Sequence, residues 1–299
     1  MKFANCAGRA CIVRDDRLLD IGTASDGALS SDPAIYLAVD THRELAALAD
    51  LRRDDFVDYS ATDLGPPVPR PGTIIAVALN YQLHADEAGR TVPDQPVFFT
   101  KSSGSVCGPT DTIQIATDWQ SIDYEAEVVA VVGRRTRDVT PDDAWNHLAG
   151  LTAGQDISDR AEQSREPLRQ FSFAKSYDTF SPIGPVLVSI DEFADPDDVE
   201  LIGRVDGNEV QHATTKALIA SIPQLISQIS QRITLEPGDL IFTGTPGGVG
   251  SRRQPPLFLR PGMTLETEIP QVGKMVNRIR ERTNNPDDGA TVSHKEPAR

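Results

Sequence analysis

Residues 123–133, DYEAEVVAVVG, decide the fold, because they describe a strand with an unusual start. Alternate residues of a β-strand point to opposite faces, so Glu125 and Glu127 lie on the same face. The residues that follow them are apolar on both faces. A strand of that kind is typical of the interior of a sheet. The stretch therefore predicts a buried central strand that carries two carboxylates at its beginning.

Two neighbouring buried carboxylates repel each other and are costly to desolvate unless a cation neutralises them. A hard divalent cation takes such oxygen ligands, and we expect Asp156, at the end of an apolar run, to be the third. The alternatives are a strand that starts at the surface, with both glutamates solvated or paired with arginines, and an Asp156 that caps a turn before Ser158. Cys or His at metal spacing is missing nearby, which favours magnesium, manganese or calcium over zinc.

A second pair of polar residues follows the strand predicted at residues 73–78. His84 and Glu87 are three positions apart, which on a helix places them on one face and within reach of each other. A carboxylate that fixes the imidazole tautomer allows the histidine to take a proton from water. A solvated surface pair is the alternative. The loop-like residues 88–93 that come next suit a mobile cover.

Two further segments suggest contacts with an anion. Residues 240–250, LIFTGTPGGVG, form a strand that ends in a glycine-rich turn, where backbone N–H groups can hold a carboxylate. The turn matches neither a P-loop nor a dinucleotide fingerprint. Lys175 lies among aromatic and apolar residues, where a lone ammonium needs a reason; the alternative is a surface lysine whose stem packs on Phe173.

Composition limits the classes of partner. The 299 residues are 39% hydrophobic and 24% charged, which is typical of a globular chain. The net charge of −15 repels phosphate backbones and anionic lipids, so we expect neither nucleic acid nor a membrane as a partner. A site for an anionic metabolite must then supply local positive charge. Cys6, Cys11 and Cys107 are predicted to be reduced, and without a signal peptide or an apolar span the chain is expected to be cytoplasmic.

The chain divides into predicted segments of different composition. Residues 1–63 form a small N-terminal β/α module, with strands at 10–13 and 18–21 and a helix at 41–53 whose apolar positions are Leu45, Leu48 and Leu51. Residues 64–72 carry four prolines and two glycines and mark a linker. A strand-rich domain follows at 73–282. Its strands are expected at residues 73–78, 97–100, 125–132, 186–189, 201–205 and 240–243.

Helices are fewer in that domain. We expect them at residues 142–148 and at 221–233, the latter with a core stripe that includes Ile222 and Ile233. The tail, residues 283–299, has too little apolar surface to order itself, so it is predicted to be disordered.

Six segments in this order resemble the fumarylacetoacetate hydrolase family, over roughly residues 71–279. They are GTIIAVALNYQLHADE, KSSGSVCGPTD, DYEAEVVAVVGRRTRDVTPDDA, GLTAGQDISDR, FAKSYDTFSPIGP and LEPGDLIFTGTPGGVG. The resemblance implies an α+β fold, a β-rich roll with a small N-terminal module, and assembly as a homodimer.

The resemblance also implies roles for individual residues. It assigns Glu125, Glu127 and Asp156 to a Mg²⁺-type cation (or Mn²⁺ or Ca²⁺) and His84 and Glu87 to a water-activating pair on a lid, with Lys175 beside the metal. Substrate contacts are implied at Arg160, Gln163 and Thr245. The chain departs from the family's usual wording at Asp159, Ala161, His212 and Lys216, which puts the transfer of a substrate identity in doubt.

The expected reaction is enolate chemistry on a small anionic 2-oxo or 1,3-dicarbonyl acid. Hydrolysis of a C–C bond in an acylpyruvate-type substrate is the first hypothesis. The alternatives are a 2-hydroxyhepta-2,4-diene-1,7-dioate isomerase of aromatic catabolism and an oxaloacetate-type decarboxylase, because the same metal-stabilised enolate serves each of them. A non-catalytic metal-binding or metabolite-binding relative is the alternative from another class.

Overall fold

The computed structural model describes residues 1–282, and the predicted disordered tail lies outside them. The strands of residues 1–282 are β1 Lys2–Cys6, β2 Arg9–Arg14, β3 Arg17–Asp20, β4 Val57–Asp58, β5 Leu64–Gly65, β6 Ile74–Ala78, β7 Val97–Lys101, β8 Val106–Cys107, β9 Ile113–Ile115, β10 Ile122–Asp123, β11 Ala126–Val132, β12 Leu148–Gln155, β13 Ser158–Asp159, β14 Ser181–Val188, β15 Glu200–Val205, β16 Asn208–Thr214, β17 Leu240–Phe242, β18 Thr264–Ile269 and β19 Gly273–Glu281. The α-helices are α1 Ile21–Ala24, α2 Ala34–Leu37, α3 His42–Leu51, α4 Gln82–Glu87, α5 Arg160–Gln163 and α6 Ile222–Ser230. Strands thus dominate and helices are short, as predicted for an α+β protein.

The large sheet is built around β11. Its strand order is β4-β3-β2-β1-β14-β12-β11-β17-β6-β7, and β11 lies antiparallel between β12 and β17. Every residue of β11 is buried, and its two faces enter two different hydrophobic clusters. The prediction of a buried central strand is therefore confirmed, and the carboxylates at its start are held inside the protein.

The N-terminal residues join the same sheet. Strand β1 pairs with β14 on one side and with β2 on the other. Residues predicted as a linker also pack closely, since β5 pairs with β1 and Val68 is fully buried. The division into an N-terminal module, a linker and a catalytic domain stays a prediction.

Two apolar residues predicted to be in the core are exposed. Leu51 is 79% exposed because it is the last residue of α3, whose buried positions are Leu45 and Ala49. Ile233 is 43% exposed because α6 ends at Ser230, before the predicted end of the helix. The rest of the α6 stripe is buried. The helix predicted at 142–148 is a 3-10 helix, Pro141–His147.

A smaller sheet of order β16-β15-β18-β19-β9 covers a third hydrophobic cluster, which includes Tyr124, Ile157 and Phe180. Strands β10 and β13 pair beside it and lead directly into β11 and α5. The acidic residues of interest lie where these segments meet the large sheet. None of the helices in residues 1–282 is long and apolar enough to span a membrane.

Candidate active site

Three acidic residues meet at one edge of the large sheet. The antiparallel register pairs Ala126 with Gln155, so the start of β11 lies beside the end of β12. The backbone N–H of Asp156 donates to the carbonyl of Glu125 at 2.9 Å and ties the two segments together. Glu125, Glu127 and Asp156 are all buried, and each offers a carboxylate oxygen within 4.8 Å of the others. We refer to these three residues as the acidic cluster.

Two lysines neutralise part of this charge. The Lys175 ammonium donates to Glu125 Oε2 and to Asp156 Oδ2, both at 2.6 Å, and the Lys101 ammonium donates to Asp156 Oδ1 at 2.5 Å. Burial lowers the pKa of Lys101 in spite of the attraction of Asp156. Burial acts on Lys175 in the same direction, but its two carboxylate partners outweigh it and raise its pKa. Lys175 is therefore not the surface lysine of the alternative hypothesis.

Glu127 is the member of the acidic cluster without a cationic partner at hydrogen-bonding distance in the described chain. Its Oε2 accepts the backbone N–H of Gly244 at 2.8 Å. Burial, together with the negative charges of Asp156 and Glu125, raises the pKa of Glu127 well above its usual range. A positive charge beside the Glu127 carboxylate would favour its ionised form.

Arg160 closes the other side of the acidic cluster. Its guanidinium donates to Glu125 Oε1 at 2.5 Å and to Asp123 Oδ2 at 2.8 Å. Burial alone would raise the pKa of Glu125, but Arg160 and then Lys175 hold it far below the usual range. These partners favour the ionised form of Glu125. Glu125 is buried, as predicted, and it is also paired with an arginine, as the alternative proposed.

The His84 and Glu87 side chains form a hydrogen-bonded pair on α4. His84 Nδ1 lies 2.8 Å from Glu87 Oε1, and the backbone N–H of Gly248 donates to Glu87 Oε2 at 2.8 Å. Burial opposes ionisation of Glu87, but these hydrogen bonds lower its pKa below the usual value. A carboxylate only accepts, so Nδ1 is the donor, and in the neutral imidazole the lone pair lies at Nε2. Such a pair is arranged to take a proton at Nε2.

The glycine-rich turn, residues 243–250, does hold carboxylates, but they belong to the protein. Its N–H groups bind Glu87 through Gly248, Glu127 through Gly244, and Asp123 through Gly250. A Cβ on Gly250 would lie 1.8 Å from the carbonyl oxygen of Leu257, so no other residue fits there. The turn therefore fixes three acidic side chains relative to one another.

A cavity of about 610 Å³ connects these groups. Of the predicted site residues it is lined by His84, Glu125, Glu127, Asp156, Arg160, Gln163, Lys175 and Thr245. Glu87 reaches it through His84. The loop after α4 contributes Ala88, Arg90, Thr91 and Pro93, and the segment after α5 contributes Arg169 and Phe171. All the predicted residues thus come together around one space, while their individual roles stay predictions.

Thr245 and Gln163 differ in how firmly they are held. Thr245 is buried, and its hydroxyl donates to the carbonyl of Ala126 and accepts from Gln211 Nε2 at 2.7 Å. Gln163 Oε1 accepts from Arg160 Nη1 at 3.0 Å. Gln163 therefore keeps its amide donor for another partner, whereas Thr245 mainly joins the turn to β11.

The residues at which the chain differs from the usual family sequence lie in two places. Asp159 caps α5 by accepting the N–H groups of Ala161 and Glu162. His212 and Lys216 lie on the surface, where His212 pairs with Glu200 and Glu209. His212 and Lys216 do not line the cavity.

Two contributors to the site were not predicted. Lys101 is the last residue of the edge strand β7, and its side chain is buried. Its position in the strand was the sequence signal that could have indicated this. Asp123 is fully buried and accepts from Arg160 and from the N–H groups of Gly250 and Ser251. Its position two residues before Glu125 could have indicated that it belongs to the site.

The acidic cluster fits a divalent cation. Three carboxylates on rigid backbone, one of them without a positive partner, provide the all-oxygen donor set that Mg²⁺, Mn²⁺ and Ca²⁺ prefer. Glu125, Glu127 and Asp156 would hold the ion. Among the described residues this group of possible ligands contains no cysteine or histidine, and Cys6, Cys11 and Cys107 are free thiols.

Comparisons with known proteins give the same picture. Residues 73–280 match the family model "Fumarylacetoacetate (FAA) hydrolase C-terminal". The human protein named oxaloacetate tautomerase FAHD2A, mitochondrial, is 38% identical over 213 residues, which are 71% of this chain and 68% of that protein.

Two solved structures are similar over nearly the whole chain. A Mycobacterium smegmatis protein provisionally called HpcE is 41% identical with a TM-score of 0.84, over 95% of this chain and 100% of that chain. Maleylpyruvate hydrolase from Sphingobium sp. SYK-6, solved with a manganese(II) ion and pyruvate, is 28% identical with a TM-score of 0.79 over the same shares. The chain therefore belongs to the fumarylacetoacetate hydrolase family and is an enzyme.

Proposed function

We propose that this enzyme uses a divalent cation, held by the acidic cluster, to act on a small 2-oxo or 1,3-dicarbonyl acid, and that it hydrolyses a C–C bond of an acylpyruvate-type substrate. The observation that carries this proposal is that the His84–Glu87 pair and the acidic cluster line or reach one cavity. A fixed general base beside an oxygen-ligand metal site is the arrangement that such a hydrolysis needs.

The cation, when bound, would act as a Lewis acid that lowers the energy of the developing enolate. His84 Nε2 takes the proton from a water molecule, while Glu87 holds the ring and stabilises the imidazolium. The hydroxide attacks the distal carbonyl carbon, the C–C bond to the methylene carbon breaks, and the products are a carboxylic acid and the enolate of pyruvate. Protonation of that enolate at carbon gives pyruvate. Arg160 and Gln163 lie where they can bind the oxygens of the 2-oxo acid.

The second candidate is conversion of an oxaloacetate-type acid, either between keto and enol forms or by decarboxylation. The name of the human relative favours it, since that protein is called an oxaloacetate tautomerase. The same cavity and base serve proton transfer at the methylene carbon without water attack. Isomerisation of a 2-hydroxy-diene-dioate likewise requires only proton transfer, without attack by water.

Product analysis separates these reactions. Chelator-stripped enzyme is incubated with acylpyruvates, oxaloacetate and a 2-hydroxy-diene-dioate, with and without Mg²⁺ or Mn²⁺. The proposal expects turnover only with added metal and release of pyruvate from the acylpyruvate. Turnover of oxaloacetate alone would replace it by the second candidate.

The His84→Gln variant distinguishes an enzyme from a pure binding protein. It is expected to lose turnover by about a hundredfold or more and to keep its stabilisation by Mg²⁺, because the side chain is not a ligand of the acidic cluster. Turnover that persists in His84→Gln would remove the proposed base. Homodimer assembly and a cytoplasmic location stay predictions for this chain.

A further inference from the structure

Gly248, in the glycine-rich turn, is hydrogen-bonded through both of its backbone polar groups. Its N–H donates to Glu87 Oε2 at 2.8 Å. Its carbonyl accepts the hydroxyl of Tyr124 and the Nε–H of Arg253, both at 3.1 Å. In the described part of the chain, neither Tyr124 nor Arg253 lines the cavity. One glycine thus connects the His84–Glu87 pair to two side chains outside the cavity wall.

Tyr124 and Arg253 hold this carbonyl as one unit. Arg253 Nε also donates to the Tyr124 hydroxyl at 2.9 Å, and Arg253 Nη2 donates to the carbonyl of Val210, in β16, at 2.7 Å. These acceptors are neutral, and no carboxylate among residues 1–282 forms an ion pair with this half-buried guanidinium. Burial raises the pKa of Tyr124 to about 12, so its hydroxyl stays protonated and remains a donor.

The backbone at Gly248 needs these external restraints. Its φ is +102°, and a Cβ there would lie 2.2 Å from the carbonyl oxygen of Val210, so a side chain is excluded. Glycine has no side chain to pack and has the largest backbone freedom of any residue. The donors to its carbonyl therefore fix the direction in which the N–H groups of the turn point.

The peptide group between Gly248 and Val249 links the guanidinium to the carboxylate of the pair. Its carbonyl is the one held by Tyr124 and Arg253. Burial raises the pKa of Glu87, but hydrogen bonds from His84 and from the N–H groups of Gly248 and Val249 lower it below its usual value. Hydrogen bonds that share a peptide group polarise one another, so donors to the carbonyl strengthen the N–H that faces the carboxylate.

We propose that Arg253, together with Tyr124, is a positioning residue for the His84–Glu87 pair. It acts through the carbonyl of Gly248, which orients the turn so that its N–H groups hold the Glu87 carboxylate. A fixed carboxylate in turn keeps the ring proton of His84 at Nδ1. The inference deepens the proposed function and rests on it for the role of His84 as a base. Arg253 should therefore affect the rate of reaction and not the binding of metal.

The first measurement determines which ring nitrogen of His84 carries the proton. It uses nitrogen NMR on the metal-free full chain with labelled histidine, at a pH where the ring is neutral, and His84→Gln identifies the signals. Arg253→Met removes the donors to the turn. Arg260→Met is the matched control, because Arg260 is also half-buried and also donates to backbone carbonyls, those of Leu259 and Gln120.

In the wild type the neutral His84 ring should carry its proton chiefly at Nδ1. In Arg253→Met the ratio of the Nδ1–H form to the Nε2–H form should fall by about three- to tenfold, which corresponds to one net hydrogen bond. Arg253→Lys keeps a charged donor and should recover part of the ratio. Tyr124→Phe removes one donor and should cause a smaller loss, and Arg260→Met should behave as the wild type.

The second measurement is a double-mutant cycle with Glu87→Gln. On an acid that the metal-loaded wild type converts, Arg253→Met should lower kcat by about tenfold, while KM and the stabilisation by Mg²⁺ change by less than about twofold. In the Glu87→Gln background the same substitution should lower kcat by less than about twofold, because the residue through which it acts is already altered. An arginine that only stabilises the fold would have the same effect in both backgrounds.

Three results would overturn the inference. They are a His84 proton ratio in Arg253→Met equal to that of the wild type, the same change of ratio in Arg260→Met, and an equal loss of kcat in both backgrounds of the cycle. If Arg253→Met does not fold, Arg253→Lys and Tyr124→Phe decide the question, since each is a smaller change.

Failure of the proposed function is a separate outcome. It follows if Glu87→Gln keeps full turnover, or if the metal-loaded wild type converts none of the acylpyruvates, oxaloacetate and the 2-hydroxy-diene-dioate. The proton ratio of His84 needs no substrate, so it still decides whether Arg253 positions the pair.

Discussion

Replacing Glu127 by Gln should stabilise the metal-free protein and weaken its stabilisation by metal. The carboxylate is 1% exposed, lies within 4.8 Å of Glu125 and Asp156, and accepts only the N–H of Gly244. Glutamine keeps that acceptor and replaces repulsion by an amide that can donate to the neighbouring carboxylates. With an effective dielectric constant of about 20, repulsion between two unit charges at this separation is on the order of 3 kcal/mol. Lysines nearby offset part of it, so we expect a gain of about 1–3 kcal/mol in metal-free protein at a pH where Glu127 is ionised.

Bound metal offsets this gain. At a free concentration of one hundred times its dissociation constant, a ligand stabilises the folded state by about 2.7 kcal/mol. If losing one of three carboxylates weakens binding a hundredfold, the variant gains only about 0.4 kcal/mol at the same concentration. The wild type therefore recovers about 2 kcal/mol more than the variant.

The pH dependence has a definite sign in metal-free protein. The pKa of Glu127 is raised by burial and by its acidic neighbours. A carboxyl group whose folded pKa is raised stabilises the fold below its unfolded pKa, and this contribution is lost as the pH rises through the folded value. Wild type should lose stability over that range, and Glu127→Gln should not.

Urea unfolding with EDTA and with Mg²⁺, at several pH values, measures all three effects. Glu44→Gln makes the same chemical change at an exposed position of α3 and should have almost no effect. A metal-free Glu127→Gln protein less stable than the wild type, together with equal stabilisation of both by Mg²⁺, would refute the reasoning.

Other expected outcomes follow from single contacts. Glu87→Gln should lower turnover by about a hundredfold and leave Mg²⁺ stabilisation intact, because it disturbs the His84 ring and not the acidic cluster; unchanged product formation would contradict this. Lys101→Met should cost about 3 kcal/mol in urea unfolding with EDTA, since it removes one of the two ammonium partners of Asp156; an unchanged unfolding midpoint would exclude that role. Burial raises the pKa of Cys11 to about 12, so iodoacetamide at pH 8 should label it far more slowly than a free cysteine, which peptide mass spectrometry can follow. Rapid labelling of Cys11 would show that its strand opens.

The sequence determined the central strand well because its signal is local. Five consecutive apolar residues, 128–132, follow the two glutamates and allow little besides a buried strand, and β11 has that form. Helix ends were harder to predict. Leu51 and Ile233 continue an apolar period past the point where the chain leaves the core, and the period alone does not contain that point. Packing against neighbouring segments decides where an amphipathic helix ends.

The sequence predicted which residues form the site better than it predicted the contacts between them. His84 and Glu87 are close in the chain, so their pairing could be proposed from spacing. Lys101 reaches Asp156 across 55 residues of sequence, and no pattern within the chain links the two. The glycine-rich turn was expected to hold a carboxylate, and the carboxylates that its N–H groups hold are the protein's own. Long-range contacts of this kind depend on the sheet order, which local patterns do not specify.

The hydrogen bond between Glu87 and Gly248 has a consequence for protein engineering. Helix α4 has only six residues, too few to be stable in isolation, so its place depends on external contacts at its two ends. At its start, Asn80 donates to the carbonyls of Ala220 and Thr243, and at its end Glu87 meets the turn. Residues 88–96 follow the second anchor and lead to β7. Exchanging residues 88–96 for those of a relative, with both anchors kept, is a route to chimeras that process new acids on an unchanged catalytic base.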